Sequence, residues 1–415
     1  MKVVVLGAGL AGVPTAYHLA KAGHAVTVVE RQPAAALETS FANGSLLCLG
    51  HSYPWASPAA PGVLVKSLMR DDQALRISPR IDPRLWGWLL KFLAECPRSR
   101  ADRHAASRLR LAQYSQAVMK DVVAETGIEF FHTGKGLLYV YRTDRAMEEG
   151  VRQMTVLRKN GLAIDIIDGA EVARLEPALA PVREKLVGAV YVPADGTGDA
   201  RVFTQELARV AAGRGVTFRY GTTVTGLDLD GRRLTGVRTS EGTVDADAVV
   251  VAMGSYTPIL LRRIGIKADI FPVKGYSMTV PITRPEEAPT IGGLDEDNLL
   301  AFSVLGDQLR LTATAEFTGY DLSYDLPDFR SMTAAAKDLF PTVGDYAKAR
   351  LWAGLRPATP DGNPLFGATG VANLFLNSGH GSMGWTMACG SGKIVADLVC
   401  GREPDIDIAA MRCRQ

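Results

Sequence analysis

Gly7, Gly9 and Gly12 stand in the spacing GxGxxG, and an acid, Glu30, closes the next apolar run. Glycines placed in this way act through the backbone. Gly7 permits a tight turn, Gly9 lets the main chain approach a pyrophosphate, and Gly12 allows a helix to pack closely on a strand. The helix that must follow offers free N–H groups and a partial positive charge to the phosphates. Glu30 is then placed to accept hydrogen bonds from a ribose hydroxyl. The predicted contacts of this unit are Gly7, Gly9, Leu10, Ala11, Gly12, Glu30 and Arg31. The chemistry is dinucleotide binding, and the motif alone does not separate FAD from NAD, although its place near the N-terminus leans towards FAD. A run of small and polar residues at 38–44 (ETSFANG) comes soon after Glu30. It reads either as an ordinary connection or as a loop around the second half of the nucleotide, touching it through Thr39, Ser40, Asn43 and Gly44.

These residues need elements to hold them, and the pattern supplies them. Residues 2–7 form a short, continuous, β-branched run, the mark of a buried parallel strand. A helical segment at 13–21 ends before Gly23, and a second β-branched run at 25–29 leads to Glu30. Strand, glycine turn, helix, strand and acid in that order are the context the dinucleotide fingerprint requires. A helix is predicted at 203–212, and short strands at 216–219, 223–229 (which carries Val224, a further predicted cofactor contact), 235–239 and 243–245. Asp230-Gly231 and Glu241-Gly242 read as hairpin turns. Residues 248–254 are another buried strand, ending at Gly254, so the first unit resumes after a long insertion. Within that insertion, 136–141 and 188–192 read as strands. Further strands are predicted at 270–281, 298–304 and 308–315, with helices at 329–339 and 390–398. The expected fold is α/β: a Rossmann-like nucleotide domain with an inserted α+β domain built on a mostly antiparallel sheet. The expected boundaries are 1–80, 195–265 and 345–415 for the first domain and 81–194 and 266–344 for the second. Residues 85–93 (LWGWLLKFL), flanked by Arg80, Arg84, Lys91 and Arg98, fit an interfacial helix. They also fit a helix buried between the domains, which is the reading favoured by its nearly encircling apolar residues.

Composition narrows the class. The chain has 415 residues, 47% hydrophobic and 22% charged, which suits a folded protein of about two domains. Lys plus Arg number 46 and Asp plus Glu 44, a formal charge of +2 that gives no basic face for nucleic acid. The five cysteines include no CxxC pair and suggest reduced thiols rather than a disulfide framework. No metal site is expected, since HExxH and clustered His/Cys sets are absent. Residues 384–393 fail as a P-loop, and Gly381-Ser382 fails as a hydrolase elbow. Asn43-Gly44-Ser45 matches a glycosylation acceptor by chance. No signal peptide and no span of about 20 apolar residues is expected, so the predicted location is cytoplasmic or peripheral on the inner face of the cell membrane.

Beyond the fingerprint and the 38–44 loop, further motifs are PWA at 54–56, GSY at 254–256, PVKGY at 272–276, WAGLRPATPDG at 352–362 and NSGHGSMGWTMACGSG at 377–392. Together, in order and over essentially the whole chain, they resemble the FAD-dependent D-amino-acid dehydrogenases of the small-subunit type. That group lies within the wider set of D-amino-acid, glycine and sarcosine oxidases.

The resemblance implies oxidation of an amino-acid Cα–N bond, with hydride passing to flavin and an imino acid left for hydrolysis to a 2-oxo acid. Flavin carries the difficult chemistry and the protein supplies orientation and electrostatics. Arg356 is the expected bidentate partner of the substrate carboxylate, with Tyr276 as a second donor. The 379–384 loop, through Gly381, Ser382, Met383 and Gly384, is expected to face the flavin pyrimidine. His380 is a candidate acid–base residue. Gly354 stands near where covalent flavoproteins of this kind carry a cysteine, so dissociable FAD is expected. Residues 45–51 (SLLCLGH) are more apolar than the broad-specificity form, and His51 enters the candidate catalytic set with a cyclic substrate such as D-proline or hydroxylated D-proline in view. Electrons are expected to pass to a quinone or another respiratory acceptor. The alternatives are an oxygen-using glycine- or sarcosine-type oxidase and a flavin-binding protein without catalysis.

Overall fold

The computed structural model describes residues 1–67, 75–77 and 82–413; Arg80 lies outside them. The β-branched run Lys2–Leu6 forms the centre of a six-stranded sheet because both of its faces are covered. The strand order is Leu365–Ala368, Leu374–Ser378, Ala248–Val251, Lys2–Leu6, Ala25–Val29 and Thr217–Arg219. All neighbours are parallel except the edge strand Leu365–Ala368. The helix Gly12–Lys21 makes the first crossover and packs against the helices Ala200–Gly213 and Gly384–Val399. The predicted short strands become a three-stranded antiparallel sheet, Val224–Asp230, Arg233–Thr239 and Gly242–Asp245, closed by the two expected turns.

The C-terminal helix differs from its prediction. It begins at Gly384, so Gly390 and Gly392 sit inside it rather than opening it. A Cβ on Gly390 would stand 2.7 Å from the Ser115 backbone, and one on Gly392 2.7 Å from Pro14. These glycines allow three helices to approach closely. One of the three is Arg98–Thr126, a 29-residue helix that strand-and-turn signals did not resolve.

The second sheet has nine strands, ordered Arg350–Ala358, Phe271–Pro281, Gln308–Phe317, Leu300–Leu305, Gly292–Asp295, Leu137–Tyr141, Gly188–Val192 and Asp165–Asp168, with Leu75–Ile77 beside Gln308–Phe317. Its pairs are antiparallel apart from two. Strand Arg350–Ala358 pairs with Phe271–Pro281 over nine residues, so it belongs to this sheet and not to the nucleotide layer expected to hold residues 345–415. One face packs Tyr276, Met278 and Val280 against Met332, Ala336 and Leu339 of the helix Arg330–Leu339. The other face carries the site.

Helix Pro83–Glu95 is two-sided. Leu85, Trp88, Leu89 and Phe92 are buried, while Trp86, Leu90 and Leu93 are 50%, 70% and 39% exposed. A helix sealed between domains does not describe it.

Candidate functional site

A continuous cavity of about 920 Å³ runs from the glycine turn to the inward face of the large sheet. At the nucleotide end, Gly7 has φ +104°, and a Cβ on Gly12 would lie 1.8 Å from the Gly7 carbonyl oxygen. Gly12 therefore serves the close turn and does not itself line the cavity, whereas Gly7, Gly9, Leu10 and Ala11 do. The Glu30 carboxylate accepts the Ala8 N–H at 2.8 Å and the Gln32 N–H at 2.9 Å. Burial raises its pKa, and those two donors oppose the rise. Arg31 is bonded to Glu38 and lies over the Tyr256 ring at 4.0 Å. Val224 and Gly254 complete this end.

The 38–44 loop lines the middle. Ser40 Oγ accepts the Leu10 N–H at 3.2 Å, and Thr39 donates to the Leu355 carbonyl at 2.8 Å. Asn43 Oδ1 accepts the Ser45 N–H, while its own carbonyl accepts from Arg310. A Cβ on Gly44 would meet Thr312 Oγ1 at 2.9 Å. The loop is thus fixed to both sheets, as a cofactor cradle must be.

At the far end, Arg356 points inward beside Gly275, where a Cβ would meet its guanidinium carbon at 2.4 Å. Its Nη1 donates to the Thr314 carbonyl at 2.8 Å. Thr314 has φ +65°, a costly conformation for a β-branched residue and a mark of functional sites. Arg356 has no ion-pair partner among the described residues, and burial lowers its pKa to about 10. His51 faces it from the turn Gly50–Ser52; burial, then the charges of Arg108 and Arg356, push its pKa down to about 4. His380 is buried, its Nε2 lacks a partner, and burial pushes its pKa to about 4 as well. Both imidazoles are neutral near pH 7.

Two further expected contacts are corrected. Tyr276 borders the cavity by position, but its ring lies on the opposite face from Gly275, edge-on to Phe329 with its hydroxyl donated to Glu316. A strand turns alternate side chains to opposite faces, and here the glycine faces the site. Met383 is fully buried against Cys48, its N–H spent on the His380 carbonyl, so Gly381, Ser382 and Gly384 line the cavity without it.

Sequence reasoning missed Asp195 and Tyr139. Asp195 accepts the Leu49 N–H at 2.6 Å, the Gly50 N–H at 3.2 Å and the Tyr139 hydroxyl at 2.7 Å. It fixes the turn that carries His51. Burial raises its pKa to about 7 against those three donors. No local pattern marks it, since its partners lie far away in the chain. Arg108 was missed for the same reason.

Comparison with known proteins gives the family and the fold. Residues 2–398 match the family model described as FAD dependent oxidoreductase, and the chain belongs to that family. The chain is 47% identical over 407 residues to the D-amino acid dehydrogenase of Methylobacterium radiotolerans, covering 98% of this chain and 97% of that one. It is 46% identical over 410 residues to the D-amino acid dehydrogenase of Xanthobacter autotrophicus, covering 99% and 97%. The fold is that of glycine oxidase from Geobacillus kaustophilus, with TM-score 0.77, 24% identity and coverage of 100% and 98%. L-Proline dehydrogenase from P. horikoshii shares it, with TM-score 0.76, 19% identity and coverage of 99% and 96%. The protein is an FAD-dependent enzyme, and the cavity fits that cofactor: a glycine cradle a Cβ would fill at one end and an open sheet face at the other.

Proposed function

We propose that the protein oxidises a D-amino acid at its Cα–N bond. A hydride leaves Cα and a proton leaves the amine, giving an imino acid that water converts to a 2-oxo acid and ammonium. FAD, when bound, supplies the two-electron acceptor. The observation that carries the reading is Arg356, an inward-facing guanidinium with no acid partner among the described residues, at the far end of the cavity from the fingerprint. A buried cation left unpaired in a resting protein is costly, and a substrate carboxylate relieves that cost. Neutral His51 and His380 add no charge of their own, and the positive field of the guanidinium disfavours an ammonium group, so the amine binds deprotonated. FAD is held non-covalently by Gly7, Gly9, Leu10, Ala11, Glu30, Arg31, Thr39, Ser40, Asn43, Gly44, Val224, Gly254, Gly381, Ser382 and Gly384. Gly354 has no side chain through which a flavin could be attached, and a Cβ there would meet the Trp352 ring at 2.0 Å.

The acceptor in this reading is a quinone at a membrane surface. Among the described residues no helix is long and apolar enough to cross a membrane. The support is helix Pro83–Glu95, whose buried Trp88, Leu89 and Phe92 line the cavity while Trp86, Leu90 and Leu93 stand outside. Arg98 and Arg103 follow, exposed and without ion pairs among the described residues, a combination that suits anionic lipid.

The test is anaerobic mixing of the holoenzyme with D- and L-amino acids, D-proline and sarcosine. Bleaching of the flavin by D-amino acids and not by their L-enantiomers is expected. Reduction by L-amino acids alone, or by none of these, contradicts the reading. Peroxide release in air at the rate of turnover contradicts the acceptor.

A further inference from the structure

Arg108 is the second cation of this region with no use in the account above. It lies on the helix Arg98–Thr126 and is only 3% exposed. The helix is held in place beside it and one turn earlier: Ser107 donates to Asn363 Oδ1 at 3.0 Å, and Asn363 Nδ2 meets His104 at 2.9 Å. Tyr53 adds a hydrogen bond to Asp102 at 3.0 Å. Arg108 is therefore rigidly placed. Its guanidinium packs on Gly362, where a Cβ would meet Nη1 at 2.3 Å and Pro54 Cβ at 3.5 Å. His51 and Pro54 belong to the cavity wall, and Arg108 stands directly behind them rather than lining the cavity itself.

No hydrogen bond or ion pair holds this guanidinium among the described residues, and its Nε is buried without a partner. Asp361 is the acid it senses, but through space, with Asp361 Oδ1 turned to the Asn363 N–H at 3.1 Å. His51 lies within the electrostatic reach of both Arg108 and Arg356. An α-amino acid with a neutral amine brings one negative charge. Two unpaired buried cations call for two.

We propose that Arg108 is a second anion-binding residue of the site and selects a D-amino acid with a side-chain carboxylate, of aspartate or glutamate size. This rests on the assignment of Arg356 to the α-carboxylate. The side-chain carboxylate passes His51 to reach Arg108, whose planar fork suits two oxygens. An amide in the same place keeps one accepting oxygen but carries no charge, and it turns an NH2 group towards a guanidinium that has only N–H groups to give.

The test compares D-glutamate with D-glutamine, and D-aspartate with D-asparagine, by the second-order rate of anaerobic flavin reduction of the holoenzyme. The acid of each pair is expected to be favoured by about 30-fold or more in one pair at least, the low end for a buried charge pair. In Arg108→Met, similar in length but uncharged, that ratio falls to near one. Arg108→Lys keeps part of it. If neutral D-amino acids bleach the flavin and the acids have no advantage in either pair, the inference is overturned while the parent reading stands. A preference for the acid that survives in Arg108→Met also overturns it, leaving Arg108 a structural cation for the Asp361 turn. A flavin that no D-amino acid reduces overturns both. The wild-type ratios decide the matter even where Arg108→Met fails to fold.

Discussion

Glu30 already accepts two backbone N–H groups, so its remaining lone pairs are the ones free for a ribose hydroxyl. Glu30→Gln turns one acceptor into a donor facing a donor. Hydrogen bonds to charged groups contribute about 1.5–3 kcal/mol, so FAD affinity is expected to fall about tenfold or more, as read by titrating apoprotein. Unchanged affinity would remove Glu30 from the ribose. A second residue-scale prediction concerns attachment. Gly354 offers no side chain for attachment, and the cavity's cysteine, Cys48, has its thiol pushed up to about 12 by burial, so it is a poor nucleophile. Acid precipitation is expected to release all the flavin; flavin retained on the polypeptide would point to Cys48. At this scale the fingerprint was legible because every contact in it is local. Tyr276 was not, because one step along a strand separates the cavity face from the core face, and Gly275 gives no sign of which it takes.

Helix Pro83–Glu95 is the element on which sequence and structure differ most usefully. Its apolar residues nearly encircle it, a pattern that predicts burial; in the fold one stripe seals the cavity and the other is left to solvent. Periodicity counts apolar residues but does not say how many sides are covered. If the outer stripe meets a membrane, Leu90→Asp is expected to weaken binding to vesicles containing anionic lipid about tenfold or more, the cost of one buried leucine. Reduction of the flavin by substrate should be unaffected. Equal sedimentation of both forms with vesicles would contradict the lipid-facing role. The strands were easier to read: those predicted at 270–281 and 308–315 lie within two residues of Phe271–Pro281 and Gln308–Phe317. Their alternation and β-branching carry that information locally. Strand Arg350–Ala358 was assigned to the wrong layer because its partner, Phe271–Pro281, lies some 80 residues away.

The molecule as a whole also stores a pH response. His18 has a buried Nε2 with no partner, and burial, then Lys393 and Lys21, lower its pKa from 6.5 to about 4, against weaker raising effects of Asp397 and Glu125. An unfolded histidine takes up a proton below about 6.5 while the folded one resists until about 4, so its contribution is present above 6.5 and is lost as pH falls between those values. That difference is about 2 kcal/mol at pH 5. The drop in Tm from pH 7.5 to 5 is expected to be smaller in His18→Gln than in the parent, and an equal drop would show that His18 titrates normally. Neither this histidine nor Arg108 was legible in the sequence, since both owe their state to helices packed from distant parts of the chain. The central claim is that Arg356 grips the substrate carboxylate, and the most direct measurement is anaerobic flavin reduction of Arg356→Ala by a good D-amino-acid substrate, with bound FAD quantified in the same samples. Losing one side of a buried charge pair costs about 2–5 kcal/mol, so substrate affinity is expected to fall about 30-fold to several-thousand-fold, with slower reduction and normal FAD content. A variant that keeps its FAD and is reduced with the parent's affinity and rate would contradict the account.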